Sequence, residues 1–336
     1  MEQTIQLLEL MDRPAFLALD GQIIAANAAA LAHQIVVGAQ IADLLACGKE
    51  EYAEFQSGCL CLDLELCGQH CPATVTVVGT RHLFTLEPED AEDDLRMLSL
   101  AAQQLREPLG DVMALVENLP PDLQELPGIS RGLHRLLRIV GNMTPHPTVR
   151  MEMVDINALL REIWDQAQSA CESRDIRFTF SPCPTPVYSC ADTGLLTRAI
   201  HNLLSNAMKA SSGGTIHLQL TTHRQLYQIT LHDTGSPLSD QIQDPFTRFL
   251  REPGLDAPEQ GLGLGMRLVR SAAFAHGGTV LMDSPREGGV RVSMTIPIRQ
   301  NIATLRSPRL QVSYCGERDP LLIELSDVLP PEFYKV

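Results

Sequence analysis

Apolar residues recur at a three-then-four spacing from Leu95 onward, through Leu98, Ala102, Leu105, Leu109, Val112, Val116 and Leu119. This heptad pattern predicts a long helix with one narrow apolar seam. After a proline-rich turn, "LPPDLQELPG", a second seam follows at Ile129, Leu133, Leu136, Val140 and Met143. Two such helices with a short connection predict an antiparallel hairpin. One pair of narrow seams buries little, so the economical completion is a second copy, giving a dimeric four-helix bundle; the competing expectation is a hairpin packed on its own neighbouring domain. "TPHPT" at residues 144–148 breaks the helix, because proline lacks an amide donor and disfavours helical geometry in the residue before it.

The flanking patterns differ. Residues 1–90 read as short strands and helices: "AFLALDG" with an Asp-Gly turn, "QIIAANAAALAHQ" entering an alanine-rich helix, alternation from Cys59, and a last strand "RHLFTL". Residues 91–148 are the hairpin. Residues 149–299 mix apolar helices, "INALLREIWDQAQSA" and "TGLLTRAIHNLLSNAMKA", with alternating strands "TIHLQLTTH", "LYQITLHD", "GTVLMDS" and "GVRVSMTIPI", which predicts an α/β sandwich. Residues 300–336 form a C-terminal extension, in which two strand-like runs flank a Gly-Glu-Arg-Asp turn. The fold class expected is multidomain α+β.

Composition narrows the partners. The chain has 336 residues, 26 basic against 41 acidic, and a net charge of -15, which argues against nucleic acid or an anionic membrane surface as main partner. Its most apolar window, residues 23–47, is interrupted by Asn27, His33, Gln34, Gln40 and Asp43 and is no membrane span. No leader pattern is visible, and nine scattered cysteines fit reduced thiols, so the expectation is a cytoplasmic protein. Within "GCLCLDLELCGQHC", Cys59, Cys61, Cys67 and Cys71 lie beside His70. On one strand, Cys59, Cys61 and Cys67 would share a face opposite Leu60, Leu62, Leu64 and Leu66, and these thiols are a candidate metal or redox site, with buried reduced thiols as the default.

Four features follow one another in the third segment. A helix carries Asn202, Asn206 and Lys209 on one face, and a strand ends at "HDTGSP" with Asp233 and Gly235. Then come "IQDPFTRF" with a polar loop, and "GLGLGMRLVRSAAFAHGG", where Gly261, Gly263 and Gly265 lead into a helix. Such a set suits phosphate handling: glycine amides at a helix start face an anion, and a side-chain amide oxygen is a ligand for Mg²⁺.

The ordered set resembles the N, G1, F and G2 boxes of the GHKL ATPases, in particular the catalytic domain of bacterial sensor histidine kinases, and "NLLSNAMKAS" is similar to their N box nearly letter for letter. The resemblance implies ATP and Mg²⁺ as cofactors. It implies that Asn206 coordinates Mg²⁺, Asn202 and Lys209 approach the phosphates, Asp233 bonds the adenine amino group, and Gly261 to Gly265 close over the triphosphate. Residues 249–260 would be the nucleotide lid. One departure is Pro237, where the family's G1 box has a second glycine. "LDGQIIAANAAA" with "GAQIADLL" resembles PAS sensor domains.

In the same family the first bundle helix carries a phosphoacceptor histidine followed by an acid. "QQLREPL" is similar to that motif at Leu105, Arg106, Pro108 and Leu109, but Gln103 stands at the histidine and Gln104 at the acid. An amide nitrogen is delocalised into its carbonyl and accepts no phosphoryl group, and Gln104 offers no carboxylate base. Glu107 stands where a phosphatase-type residue would act. His134, beside the seam residue Leu133, reads as a solvated or packing residue, and His201, before Asn202, as facing away from the nucleotide; neither reads as a substitute acceptor. With the cytoplasmic and dimeric expectations above, the resemblance implies a protein that binds Mg-ATP with a response regulator or another signalling protein as partner, either as a phosphotransferase with another acceptor or as a nucleotide-binding pseudokinase that signals by conformation.

Overall fold

A computed structural model describes residues 8–87, 90–120, 123–143, 149–171, 176–211, 213–237, 246, 264–300 and 319–335. The N-terminal module starts with a hairpin, β1 (Ala15–Leu19) and β2 (Gln22–Ala26), joined by the expected Asp-Gly turn. Asn27 is buried and caps α1 (Ala28–Ala32), its Oδ1 accepting from the amides of Ala30 and Ala15 while Nδ2 donates to the Arg13 carbonyl. One side chain therefore ties the helix start to the strand before it. Helices α2 (Ile41–Leu44) and α3 (Lys49–Glu54) precede β3 (Cys59–Leu66), β4 (Gln69–Val78) and β5 (Arg81–Leu86).

The third segment contains β6 (Glu152–Asp155), α6 (Ile156–Ala170), β7 (Arg177–Ser181), β8 (Tyr188–Ala191), α7 (Thr193–Ala210), β9 (Thr215–His223), β10 (Leu226–Asp233), α8 (Leu264–Ala275), β11 (Thr279–Asp283) and β12 (Val290–Pro297), after the hairpin helices α4 (Asp90–Glu117) and α5 (Leu126–Met143). β6 and β8 form a small pair. The other strands follow the order β11-β12-β10-β9-β7, antiparallel except for the parallel β7–β9 pair. Leu159, Leu160, Ile163 and Trp164 of α6 and Leu196, Ile200 and Leu203 of α7 share one core with Ile216, Leu218, Ile229 and Met294 of the sheet, which makes the sandwich.

The two sheets are joined. β3 pairs antiparallel with β11, setting Cys61 opposite Val280, Leu60 opposite Leu281 and Cys59 opposite Met282. The result is one ten-stranded sheet, β2-β1-β5-β4-β3-β11-β12-β10-β9-β7. Strand alternation makes the joint apolar on both faces: Cys59 and Cys61 enter the core of the third segment, while Leu60, Leu62, Leu64 and Leu66 enter the N-terminal core.

The shared strand face expected for Cys59, Cys61 and Cys67 is corrected here. Cys59 and Cys61 share a face, but Cys67 lies exposed in the β3–β4 turn and Cys71 sits on β4 against the leucine core. Strand pairing thus distributes the thiols over two faces and a turn. Among the described residues no group of three or more His, Cys, Asp or Glu could hold a metal ion.

The helix α4 runs without interruption through Pro108 and packs against α5. The heptad seam divides by position. Leu109, Met113 and Val116 pack with Leu126, Leu133 and Leu137, whereas Leu105, Val112 and Leu119, like Ile129 and Leu136 on α5, are exposed. One heptad position closes the hairpin and the other faces outward. No helix of the described residues is long and apolar enough to cross a membrane.

The C-terminal extension also departs from expectation. Its second strand-like run is a short helix, α9 (Pro320–Glu324), followed by turns and a 3-10 helix at Pro331–Tyr334. Asp319 caps α9 by accepting from the Leu321 amide at 2.9 Å, with Pro320 pre-set for the first helical position. Leu321, Leu325, Val328 and Leu329 join the core of the third segment, at a helical spacing that the strand reading overlooked. The first run lies outside the described residues.

Candidate functional site

The site is built on α7. Asp192 caps it by accepting from the Leu195 amide at 2.9 Å. The Asp192 amide in turn donates to His276 Nε2 at 2.9 Å, and His276 Nδ1 donates to the Ala272 carbonyl at 2.6 Å. Burial lowers the pKa of His276, so its ring stays neutral and keeps both bonds. The end of α8 is thereby fastened to the start of α7.

Asn202, Asn206 and Lys209 lie along one face of this helix. Asn202 is fully buried, with Nδ2 donating to the Arg198 carbonyl at 2.9 Å. A Cβ at Gly265 would sit 2.8 Å from Asn202 Oδ1, so glycine lets the start of α8 approach the amide. Asn206 is exposed one turn further on. At the far end of α7, Asp233 is buried at the exit of β10, and its Oδ1 accepts from the Gly235 amide at 2.8 Å. Burial raises the pKa of Asp233, against the lowering effect of the Gly235 and Val290 amides, the Ser211 hydroxyl and His232. A Cβ at Gly235 would stand 2.5 Å from the Ala210 carbonyl, so this position too admits only a bare backbone beside α7.

The expected set therefore comes together along one helix for Asn202, Asn206, Lys209, Asp233, Gly235 and Gly265. Gly261, Gly263 and the lid at residues 249–260 lie outside the described residues. The chemistry of the set fits a nucleotide with Mg²⁺: a buried carboxylate at one end, an exposed amide oxygen, an ammonium, and glycines where a side chain would block approach. Gln103, Gln104 and Pro108 are exposed on α4. His134 is buried in α5, its Nδ1 donating to the Ser130 carbonyl at 2.8 Å and its ring edge-on to Tyr334 at 5.0 Å. His201 is buried with neither ring nitrogen hydrogen-bonded, and desolvation lowers its pKa to about 4. Both are packing residues.

Several charged residues at the site escaped the sequence reading. Arg138 of α5 donates from Nη2 to Asn202 Oδ1 at 3.3 Å, and Asn202 Nδ2 donates to Glu324 Oε2 at 3.1 Å. Arg198 Nε donates to Glu324 Oε1 at 3.3 Å, and Arg198 Nη2 donates to the Gly141 carbonyl at 2.8 Å. Lys209 Nζ donates to Asp327 Oδ2 at 2.6 Å, an oxygen that also receives Arg138 Nη1. Arg135 pairs with Asp327 at 2.8 Å, and Arg131 Nε donates to the Ser326 carbonyl at 2.9 Å. The spacing of Arg131, Arg135 and Arg138, one stripe of a helix, was the available signal.

Residues 191–300 match the family described as "Histidine kinase-, DNA gyrase B-, and HSP90-like ATPase". The fold and this site thus define a GHKL-type ATPase domain. Proteins similar to this chain beyond that domain include sensor histidine kinases. The chain is 31% identical over 204 residues to the sensor-type histidine kinase PrrB of Mycobacterium leprae, a match covering 60% of this chain and 42% of that one. It is 27% identical over 188 residues to the sensor histidine kinase CusS of Escherichia coli K12, covering 54% and 38%. The match spans less than half the length of either relative. Among solved structures, full-length ShkA in complex with AMPPNP is similar in fold, with a TM-score of 0.50 and 21% identity over 62% of this chain and 47% of that chain.

Proposed function

We propose that this protein is a cytoplasmic, homodimeric signalling protein of the two-component type that binds Mg-ATP and has lost histidine autophosphorylation at the usual position. The observation that carries the reading is the arrangement on α7, where Asn202, Asn206 and Lys209 lead toward buried Asp233. In this reading Asp233 holds the adenine amino group, Asn206 holds Mg²⁺, and Lys209 meets the phosphates. The bound metal neutralises phosphate charge. The PAS-like module supplies the input, and the outward heptad stripe on α4 and α5 receives a second copy, with a response regulator as the expected partner. Gln103 and Gln104 are exposed, so the acceptor position is reachable yet holds only amides.

That last observation favours the pseudokinase form, in which nucleotide biases the conformation of the dimer. Purified protein incubated with Mg²⁺ and γ-labelled ATP, beside a nucleotide titration, tests both forms. Saturable binding without label on the chain is the expected result. Acid-labile label would overturn the pseudokinase form, and absence of nucleotide binding would overturn the whole reading.

A further inference from the structure

Two acidic residues of the C-terminal segment, Glu324 and Asp327, sit against side chains of α7. Glu324 is fully buried between Arg198, Arg138 and Asn202, and Asp327 is held by Lys209, Arg138 and Arg135. Two carboxylates thus engage the ammonium of Lys209, which the proposed function assigns to the phosphates, and the amide of Asn202, for which the family resemblance implies the same role. They also bridge α5 of the hairpin to α7 of the ATPase domain. Leu321, Leu325, Val328 and Leu329 anchor the segment in the ATPase core, and Tyr334 closes back on it by donating to the Leu322 carbonyl at 2.7 Å.

We propose that the C-terminal segment, residues 319–335, is an internal competitor for the polyphosphate subsite, with Glu324 and Asp327 standing in for phosphate oxygens. The inference rests on the ATP-binding reading of the same site. Lys209 and Asn202 have their donors directed at carboxylates, and a triphosphate reaching them must take those bonds over. Arg135 and Arg138 reach Asp327 from the hairpin, so the docked segment also locks the hairpin against the ATPase domain. Displacement by nucleotide removes that bridge and leaves Arg198 bonded to the Gly141 carbonyl and Asn142 of the hairpin. A segment docked in about 99% of molecules would weaken apparent nucleotide affinity about 100-fold.

The test uses the full chain. Amide hydrogen exchange of residues 319–335 is followed with and without saturating Mg²⁺ and a non-hydrolysable ATP analogue, and analogue affinity is compared between wild type and the double variant Glu324→Gln, Asp327→Asn. Nucleotide should accelerate exchange in the segment, and the variant should bind the analogue at least about tenfold more tightly. The exchange measurement needs no variant, so it decides even where the substitutions impair folding. Nucleotide binding with unchanged exchange and unchanged affinity would overturn the competitor and leave the ATP reading standing. No binding by either form would overturn both.

Discussion

The ATPase domain meets its neighbours along two seams of different chemistry. Against the N-terminal module it uses chiefly a sheet edge: backbone pairing of β3 with β11, with cysteine and leucine alternating into two apolar cores, and the ion pairs Arg270–Glu87 and Arg224–Glu50 at its margin. Against the hairpin and the C-terminal segment it meets an ionic cluster around buried Glu324: Arg198 and Lys209 of the domain and Arg131, Arg135 and Arg138 of the hairpin are directed at Glu324, Asp327 and the Ser326 and Asp327 carbonyls, with Arg138 and Arg198 buried. Backbone bonds and apolar burial hold without regard to charge state, whereas a buried ion is stable only while its partner remains. The first seam is therefore a fixed joint, and the second is the one a charged ligand can open.

The difference can be broken from either side. The largest effect belongs to Cys61→Asp, which puts an unpaired carboxylate into the sheet seam and should cost about 4 kcal/mol in chemical denaturation. Next is acidification at the ionic seam. His201 faces Glu324, Asp319 and Arg138, and desolvation lowers its pKa from 6.5 to about 4. The folded protein binds that proton more weakly than the unfolded chain, so stability is level above the unfolded value and declines as pH falls toward the folded one. The shift corresponds to about 3 kcal/mol in denaturation midpoints taken across that window. Asp327 acts in the same direction at lower pH: burial alone would raise its pKa, but Arg138, Lys209 and Arg135 hold it below the usual range.

A smaller loss is expected for Arg138→Met, about 2 kcal/mol, because Arg198, Arg135 and Lys209 remain to share the carboxylates. That variant should also loosen exchange protection in residues 319–335 and leave the sheet seam protected. The smallest effect on the folded protomer is that of Leu105→Glu with Val112→Glu on the outward stripe of α4. Stability of the protomer should change by less than about 0.5 kcal/mol, while light scattering should report a monomer in place of a dimer. A dimer persisting in that variant would sink the bundle assembly.

Much of the site was legible because its parts are local. Asn202, Asn206 and Lys209 share a face through helix periodicity alone, and Asp233 with Gly235 ends a strand whose alternation is plain. The cysteines were only partly legible, for the opposite reason. Strand period correctly put Cys59 and Cys61 on one face, but the turn at Cys67 and the return of the chain at Cys71 depend on where β3 stops. The C-terminal run was read as strand because Leu321, Leu322 and Ile323 are adjacent; the Asp319–Pro320 cap that starts a helix there was the overlooked signal.

The residues themselves determined the hairpin, the alternating strands, the helix bearing Asn202, Asn206 and Lys209 on one face and the amide chemistry of Gln103, since each follows from spacing or from one side chain's chemistry. Only the tertiary structure decided which heptad position closes the hairpin, that β3 extends the ATPase sheet, and that Glu324 and Asp327 reach Asn202 and Lys209 from more than a hundred residues away. Those outcomes depend on competition among long-range burials and ion pairs, whose energies exist only once the partners are brought together.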